Sequence, residues 1–519
     1  MTQPNILLLF TDQQRFDTIA ALGNPIIKTP ALDRLVHEGT SFQRCYTPSP
    51  VCVSARCATL TGLPPHKSGC VDNMPMPQDQ PSLMERLQAL GYQTHGVGKM
   101  HFSPDSRKLW GFESRDYSEE ISNDQDDFVD YLRAQGYGHV EDVHGVRSEY
   151  YYIPQPSQLP AHLHHSHWVA DRSLAFLERR DRNRPFFLWS SFIKPHPPFE
   201  NPTPWNKLYR AAEMPRPFRP QNYEEALTFW NHVQNRYKYR DGKDRDGGFD
   251  DQLLRTMRAA YYGCISFIDY NIGRILAALG DEIDNTLILF SADHGEFLGD
   301  YGSFGKRAML DVAARVPLLA RWPGHFAADT RCETPTSLLD LWPTMLAAAG
   351  DPSPQVDPEG DDLRRVATQT APRYVYSQFS QRQTGVYLIT NGRWKYSYSA
   401  ADERAWLYDL HRDPHESHNL ANNPLCQAER KRLEEALLER FAADGYTAAV
   451  EDGYWRRYGD VDRAKLDAVR QRLASDADYG LLFQDRARLQ GEIDALGAYA
   501  RPVTPATGSG AQLFRDLAR

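Results

Sequence analysis

Nowhere in this 519-residue chain does an apolar run approach the roughly 20 residues that a bilayer-crossing helix needs. The N-terminal run Ile6–Phe10 is too short for the core of a signal peptide, and no basic region precedes it. The expectation is therefore a cytoplasmic protein with no membrane partner. Cysteine is sparse as well. Seven of them, an odd number scattered over a long chain, do not read as a disulfide framework. Positive charge is not in excess: 59 Lys and Arg stand against 68 Asp and Glu, a net −9. That balance argues against general nucleic-acid binding, which needs a basic face. A few local cations can still receive a small anion. No internal repeat recurs along the chain.

What is present is the composition of a globular protein, 41% hydrophobic and 24% charged. The length is too great for one lobe of ordinary size. Short aliphatic or β-branched runs at Asn5–Phe10, Pro185–Ser190 and Asn285–Ser291 read as strands buried on both faces. Between them, Pro30–Gly39 has helical spacing with proline near its start and glycine at its end. Ser82–Leu90 repeats that form, and Gly91-Tyr92-Gln93-Thr94 leads into a further strand. The pattern predicts an α/β fold: a mostly parallel central sheet flanked by helices, over residues 1–370.

Two stretches, 112–180 and 200–250, are rich in polar and aromatic residues with weak periodicity, and are expected as long insertions over the active face. The run Tyr150-Tyr151-Tyr152 through His162, His164, His165 and His167 is expected as an exposed loop, with shaping of a leaving-group pocket as the alternative. Near residue 370 short strand-like pieces begin, followed by a helix over Gln427–Asp444, which predicts a small antiparallel sheet plus helix over 371–449. The charged segment 450–519 is expected as an extension, an oligomerisation arm among its possible uses.

In parallel sheets functional groups gather beyond the carboxyl ends of strands. Asp12, Lys99 with His101, Lys194 with His196, and Asp293 with His294 all follow expected strands closely. Two carboxylates and an imidazole from distant strands suit a divalent cation: Ca²⁺, Mg²⁺ or Mn²⁺, the imidazole leaning toward Mn²⁺. Lys99, Lys194 and Lys306 with His101 and His196 would surround it with positive charge, as a tetrahedral oxyanion requires. Taken singly, each has a plainer use as a turn cap, a hydrogen-bonded core residue or a solvated charge.

Cys52 stands four residues before Arg56, with Thr61-Gly62 beyond. In chain order there follow Gly91-Tyr92-x-Thr94 leading to Gly98-Lys99-x-His101, Lys194-Pro195-His196-x-Pro198-Phe199 and Ser291-x-Asp293-His294-Gly295-Glu296. Gly305-Lys306, Arg315-Val316-Pro317, Arg321-Trp322-Pro323-Gly324 and Leu407-Tyr408-Asp409-Leu410 with Asp413-Pro414-x-Glu416 and Asn419-Leu420 complete the series. Over roughly residues 1–445 this resembles the sulfatase branch of the alkaline-phosphatase superfamily.

The resemblance implies that Cys52 is oxidised after translation to formylglycine by a formylglycine-generating enzyme, and that the hydrated aldehyde is the nucleophile. One hydroxyl would attack, the alcohol would leave, and the second hydroxyl would expel the anion, a route closed to serine. It further implies Asp12, Gln13, Asp293 and His294 as metal ligands beside the modified Cys52. Arg56 and His101 would hold the hydrate, Lys99 and Lys306 would bind the oxyanion, and His196 would serve the leaving-group oxygen. Cys57 is expected to be structural. Two positions depart from the commonest pattern. Ser54 replaces the usual proline, and Asp12-Gln13 replaces a pair of aspartates, as in phosphonate monoester hydrolases. The expected activity is hydrolysis of small-molecule sulfate monoesters, aryl sulfates among them. The alternative is a phosphonate monoester or phosphodiester hydrolase using the same residues, and a third reading is a non-catalytic anion-binding protein.

Overall fold

The computed structural model describes residues 3–120, 125–147, 151–235, 250–351 and 359–458. In chain order, the central strands are β1 (Asn5–Asp12), β2 (Thr40–Phe42), β3 (Gln93–Gly98), β4 (Ser114–Tyr117), β5 (Phe186–Pro195), β6 (Thr286–Ala292), β7 (Leu318–Arg321) and β8 (Thr330–Cys332). Their order across the eight-stranded sheet is β8-β2-β7-β6-β1-β5-β3-β4. Neighbours are parallel except on the two sides of β7. The expected mostly parallel α/β sheet is what forms.

Strand β1 shows why its sequence is apolar without alternation. Ile6, Leu8 and Phe10 face one core and Leu7 and Leu9 the other, all fully buried. The first core is closed by helices α2 (Cys52–Thr61), α3 (Leu83–Ala89) and α7 (Leu341–Ala348). The second is closed by α1 (Pro30–Glu38), α4 (Asp127–Ala134), α5 (His165–Arg179) and α6 (Asp251–Ala278). Helix α1 starts on a proline and turns Leu32, Leu35 and Val36 inward. Helix α3 opens with a capping box, the Ser82 hydroxyl accepting from the Glu85 amide and the Glu85 carboxylate from the Ser82 amide.

Beyond the main sheet, β9 (Val375–Phe379), β10 (Val386–Thr390), β11 (Trp394–Ser399) and β12 (Arg404–Asp409) form an antiparallel meander, with α8 (Gln427–Ala443) packed on it through Leu433, Leu437 and Phe441. A buried ionic cluster ties this sheet to the main body. The Lys395 ammonium reaches Asp311 at 2.6 Å and also pairs with Glu416, whose carboxylate accepts the Asp311 amide at 2.6 Å.

Three sequence expectations need correction. The stretch 112–180 is not a set of surface insertions: it supplies edge strand β4 and helix α5, whose Trp168, Val169, Phe176 and Leu177 are core residues. Buried His165, Ser166 and Ser173 interrupt the apolar stripe and hide its helical period. Nor is the Tyr/His run an exposed loop, since Tyr151, Tyr152, His164 and His165 are buried. Strand β5 also runs further than expected, carrying Lys194 inside the strand. Tyr150, most of the Gly/Asp-rich run at 241–251 and residues 459–519 of the expected extension lie outside the described residues. No described helix is long and apolar enough to cross a membrane.

Candidate active site

The site lies where β1 and β6, paired side by side, reach their carboxyl ends. Asp12 closes β1, and Asp293-His294 follows β6. Gly295, next in line, lets the turn pass against the Val312 carbonyl, where a Cβ would collide. Cys52 comes from elsewhere, as the first residue of α2, all ten of whose residues are buried. Its sulfur therefore stands at the positive end of a helix dipole. Ser54, in the position where the family motif carries proline, is buried and donates its hydroxyl to the Cys70 carbonyl.

Four ligand atoms, one each from Asp12, Cys52, Asp293 and His294, lie within 4.8 Å of one another, all buried. The Cys52 sulfur is 3.2 Å from His294 Nε2, 2.9 Å from Lys306 Nζ and 3.8 Å from Asp12 Oδ1. His294 Nδ1 lies 3.0 Å from the Gly295 carbonyl, which assigns the ring proton to Nδ1 and leaves Nε2 free to ligate. Two carboxylates, this imidazole nitrogen and Cys52 make a donor set suited to a divalent cation.

Gln13 joins them by a strained backbone, at φ 67°. Its amide N–H donates to Asp293 Oδ1 at 2.9 Å, and its side-chain nitrogen donates to Glu296. The side-chain oxygen is thereby turned inward, where it accepts from Lys306 Nζ at 2.7 Å. Glu296 is held for this task by the Tyr152 hydroxyl at 2.8 Å and the amides of Leu298 and Gly305.

Arg56 is fully buried and spends its guanidinium on the ligand side of the site. Nε donates to Asp293 at 3.0 Å, one terminal nitrogen to Asp12 at 3.3 Å, and the other to the Lys99 carbonyl and Ser191 hydroxyl at 2.6 and 2.9 Å. It thus orients both carboxylates. Lys99, also fully buried, places Nζ 2.6 Å from Asp12 Oδ2. Gly98 before it takes φ 79° and packs against the Ser191 carbonyl, leaving no room for a Cβ.

These charges act on one another. Burial alone would raise the Asp12 carboxyl, but Lys99, His196, Lys306 and Arg56 hold it well below the usual carboxylate range. Burial and Asp12 likewise oppose ionisation of Cys52, yet Lys306, Lys99 and His294 draw its thiol well below the ordinary value. Asp293 is pushed up by burial and by Asp12. The centre is thus poised to stabilise an anion at the Cys52 position.

His196 sets Nδ1 2.7 Å from the Pro197 carbonyl and Nε2 3.2 Å from Glu120. The His101 amide, at φ 55°, donates to Glu119 at 2.8 Å, and its ring Nδ1 is buried without a partner. Lys194 does not join this pocket. Its ammonium turns to the His144 and Pro198 carbonyls at 3.0 and 2.6 Å and to Glu200 at 3.3 Å. Lys194 still lies inside β5, whereas His196 lies past the strand's end at Pro195, so the alternation of the strand does not relate the two side chains. Glu120 and Arg147 were not anticipated, and nothing in their sequence neighbourhood marks them. Glu296 stood in the quoted motif but without a role.

Residues 4–351 match the sulfatase family model. The chain belongs to the sulfatase family. Residues 299–443 also match the model described as N-sulphoglucosamine sulphohydrolase, C-terminal. An arylsulfatase of Clostridium perfringens is 30% identical over 86% of this chain and 96% of its own length. A multifunctional alkaline phosphatase superfamily protein of Trinickia caryophylli is 30% identical over 82% of this chain and 93% of its own. Among solved structures, the phosphonate monoester hydrolase of Agrobacterium radiobacter superposes with a TM-score of 0.73 at 26% identity, covering 88% of this sulfatase and all of that chain.

Proposed function

We propose that this sulfatase hydrolyses sulfate monoesters, aryl sulfates among them, with the side chain at position 52 as nucleophile. The observation that carries the reading is the placement of Cys52: at a helix N-terminus, within 4.8 Å reach of two carboxylates and an imidazole, with an ammonium 2.9 Å from its sulfur. The arylsulfatase relative supports the same substrate class.

Oxidation of Cys52 to formylglycine by a formylglycine-generating enzyme replaces the sulfur with a hydrated aldehyde, which supplies the attacking hydroxyl. Asp12, Gln13, Asp293 and His294 with that residue would hold a divalent cation, Ca²⁺, Mg²⁺ or Mn²⁺, which would supply Lewis acidity. Arg56 fixes Asp12 and Asp293 in place. Lys306, between Gln13 and Cys52, meets negative charge as it grows on the transferring group, and Lys99 meets it from the Asp12 side. His101 lies beside Glu119 and Glu120 and serves the hydrate through its ring. The Pro197 carbonyl orients the His196 ring through Nδ1 and turns Nε2 toward the departing oxygen.

A second reading, turnover of phosphonate monoesters or phosphodiesters, has its own support. Gln13 places an amide where a second carboxylate would add negative charge, and a phosphonate monoester hydrolase is among the structural neighbours. Turnover of 4-nitrophenyl sulfate, a phenyl phosphonate monoester and a phosphodiester on one aldehyde-bearing preparation decides between them. The sulfatase reading expects the highest kcat/KM on the sulfate, and a Cys52→Ala variant that kept its activity would overturn both.

A further inference from the structure

We infer that Glu120 occupies the seat of the substrate oxyanion and sets the affinity of this site for tetrahedral anions by competing for it. The inference rests on the reading above, in which Lys99 and His196 receive the ester. Both groups are already engaged by one carboxylate oxygen: Glu120 Oε2 is 2.6 Å from Lys99 Nζ and 3.2 Å from His196 Nε2. A carboxylate bridging two such groups presents the same negative oxygens that a sulfate would present. Burial works against ionisation of Glu120, but His196, Lys99, Arg147 and His101 keep it well below the ordinary carboxyl range, so it binds there as an anion.

The chain leading to Glu120 is firmly held. Glu119 accepts the Met100 and His101 amides at 3.2 and 2.8 Å, and its own amide donates to Asp126 at 3.0 Å. Displacement is thus a rotation of one side chain, and a receiver for it stands ready. Arg147, with only 6% of its side chain exposed, lies over the Tyr151 ring at 5.2 Å. It donates to the Glu120 backbone carbonyl at 3.3 Å, yet stands 3.8 Å from Oε1, and its Nε is buried without a partner. Glu120 therefore has two stations: the Lys99 ammonium beside His196 when the seat is free of substrate, and the Arg147 guanidinium when a sulfate takes it. The cost of the exchange is the difference between the two stations, and it is subtracted from every anion that binds.

Removing the competitor should tighten anion binding, and removing the receiver should weaken it. The test is calorimetric titration of sodium sulfate into wild type, Glu120→Gln, Glu120→Ala and Arg147→Met, with 4-nitrophenyl sulfate turnover measured on the same preparations. Glu120→Gln and Glu120→Ala are expected to bind sulfate about tenfold more tightly, which is about 1.4 kcal/mol. Arg147→Met is expected to bind it several-fold more weakly, with KM moving in the same directions. A sulfate-bound crystal structure should show the Glu120 carboxylate on Arg147. The inference is overturned if both Glu120 variants melt like wild type yet bind sulfate no more tightly, because Glu120 then buttresses Lys99. If sulfate binds as expected while no sulfate ester is turned over by aldehyde-bearing wild type, the substrate reading fails and the competition stands.

Discussion

Replacing Lys306 by alanine isolates the electrostatic part of the account. Its ammonium lies 2.9 Å from the Cys52 sulfur and 2.7 Å from Gln13 Oε1. It has only 5% exposure, so water screens it little. Two unit charges at that separation interact by about 6 kcal/mol at an effective dielectric of about 20. If about half a charge gathers near the ammonium in the transition state, its loss costs about 3 kcal/mol, or on the order of 10²-fold in kcat/KM. Deleting one preorganised oxyanion donor elsewhere costs about 10²–10³-fold, the same scale. The assay is steady-state turnover of 4-nitrophenyl sulfate, with aldehyde content measured by mass so that failed modification is not mistaken for failed catalysis. A loss below about tenfold at equal aldehyde content would refute the assignment of Lys306 to the reacting group.

Other outcomes follow from separate parts of the molecule. Lys395→Met leaves Asp311 and Glu416 buried without their shared cation, and should cost about 3–5 kcal/mol in urea unfolding; a loss under about 1 kcal/mol would contradict the ionic anchoring of the C-terminal sheet. His66, set 2.8 Å from Asp444 at the same junction, is depressed to about 4 by burial, against the opposing pull of Asp444. The folded protein therefore binds this proton more weakly than the unfolded chain, so its stability contribution is complete above about pH 6.5 and is lost as pH falls toward about 4, by up to about 3 kcal/mol. His66→Gln should flatten that slope in unfolding titrations between these limits, and an unchanged slope would locate the acid sensitivity elsewhere. Chelation should abolish turnover, with restoration by Mn²⁺, Mg²⁺ or Ca²⁺, and elemental analysis should find about one divalent ion per chain. Activity that survives exhaustive chelation with no bound metal would contradict the ligand set.

The sequence was most legible where a residue had one physical task. The unbroken apolar run of β1 is explained by two buried faces, and the Pro30 start of α1 by the free amide position it fills. Asp12, Cys52, Asp293 and His294 could be read together because each follows a strand or opens a helix in a recognisable motif, and the structure brings them together. Helix α5 stayed hidden because the polar residues His165, Ser166 and Ser173 lie on its buried face and break the apolar period. Arg56 could be named but not aimed, since only the fold shows its donors on Asp12 and Asp293. Lys194 was misplaced into the pocket because its distance along the chain from His196 said nothing of which way each points. Glu120 carried no sequence signal at all, as its meaning lies entirely in contacts with Lys99, His196 and Arg147.

The central claim is that position 52 carries the nucleophile as an aldehyde. The mass of the tryptic peptide Cys45–Arg56 from protein made in its native host tests this most directly, with fragmentation separating Cys52 from Cys45. The account predicts the lower mass of an aldehyde at Cys52 in active material, with turnover proportional to the converted fraction. A free thiol at Cys52 in fully active protein would contradict it.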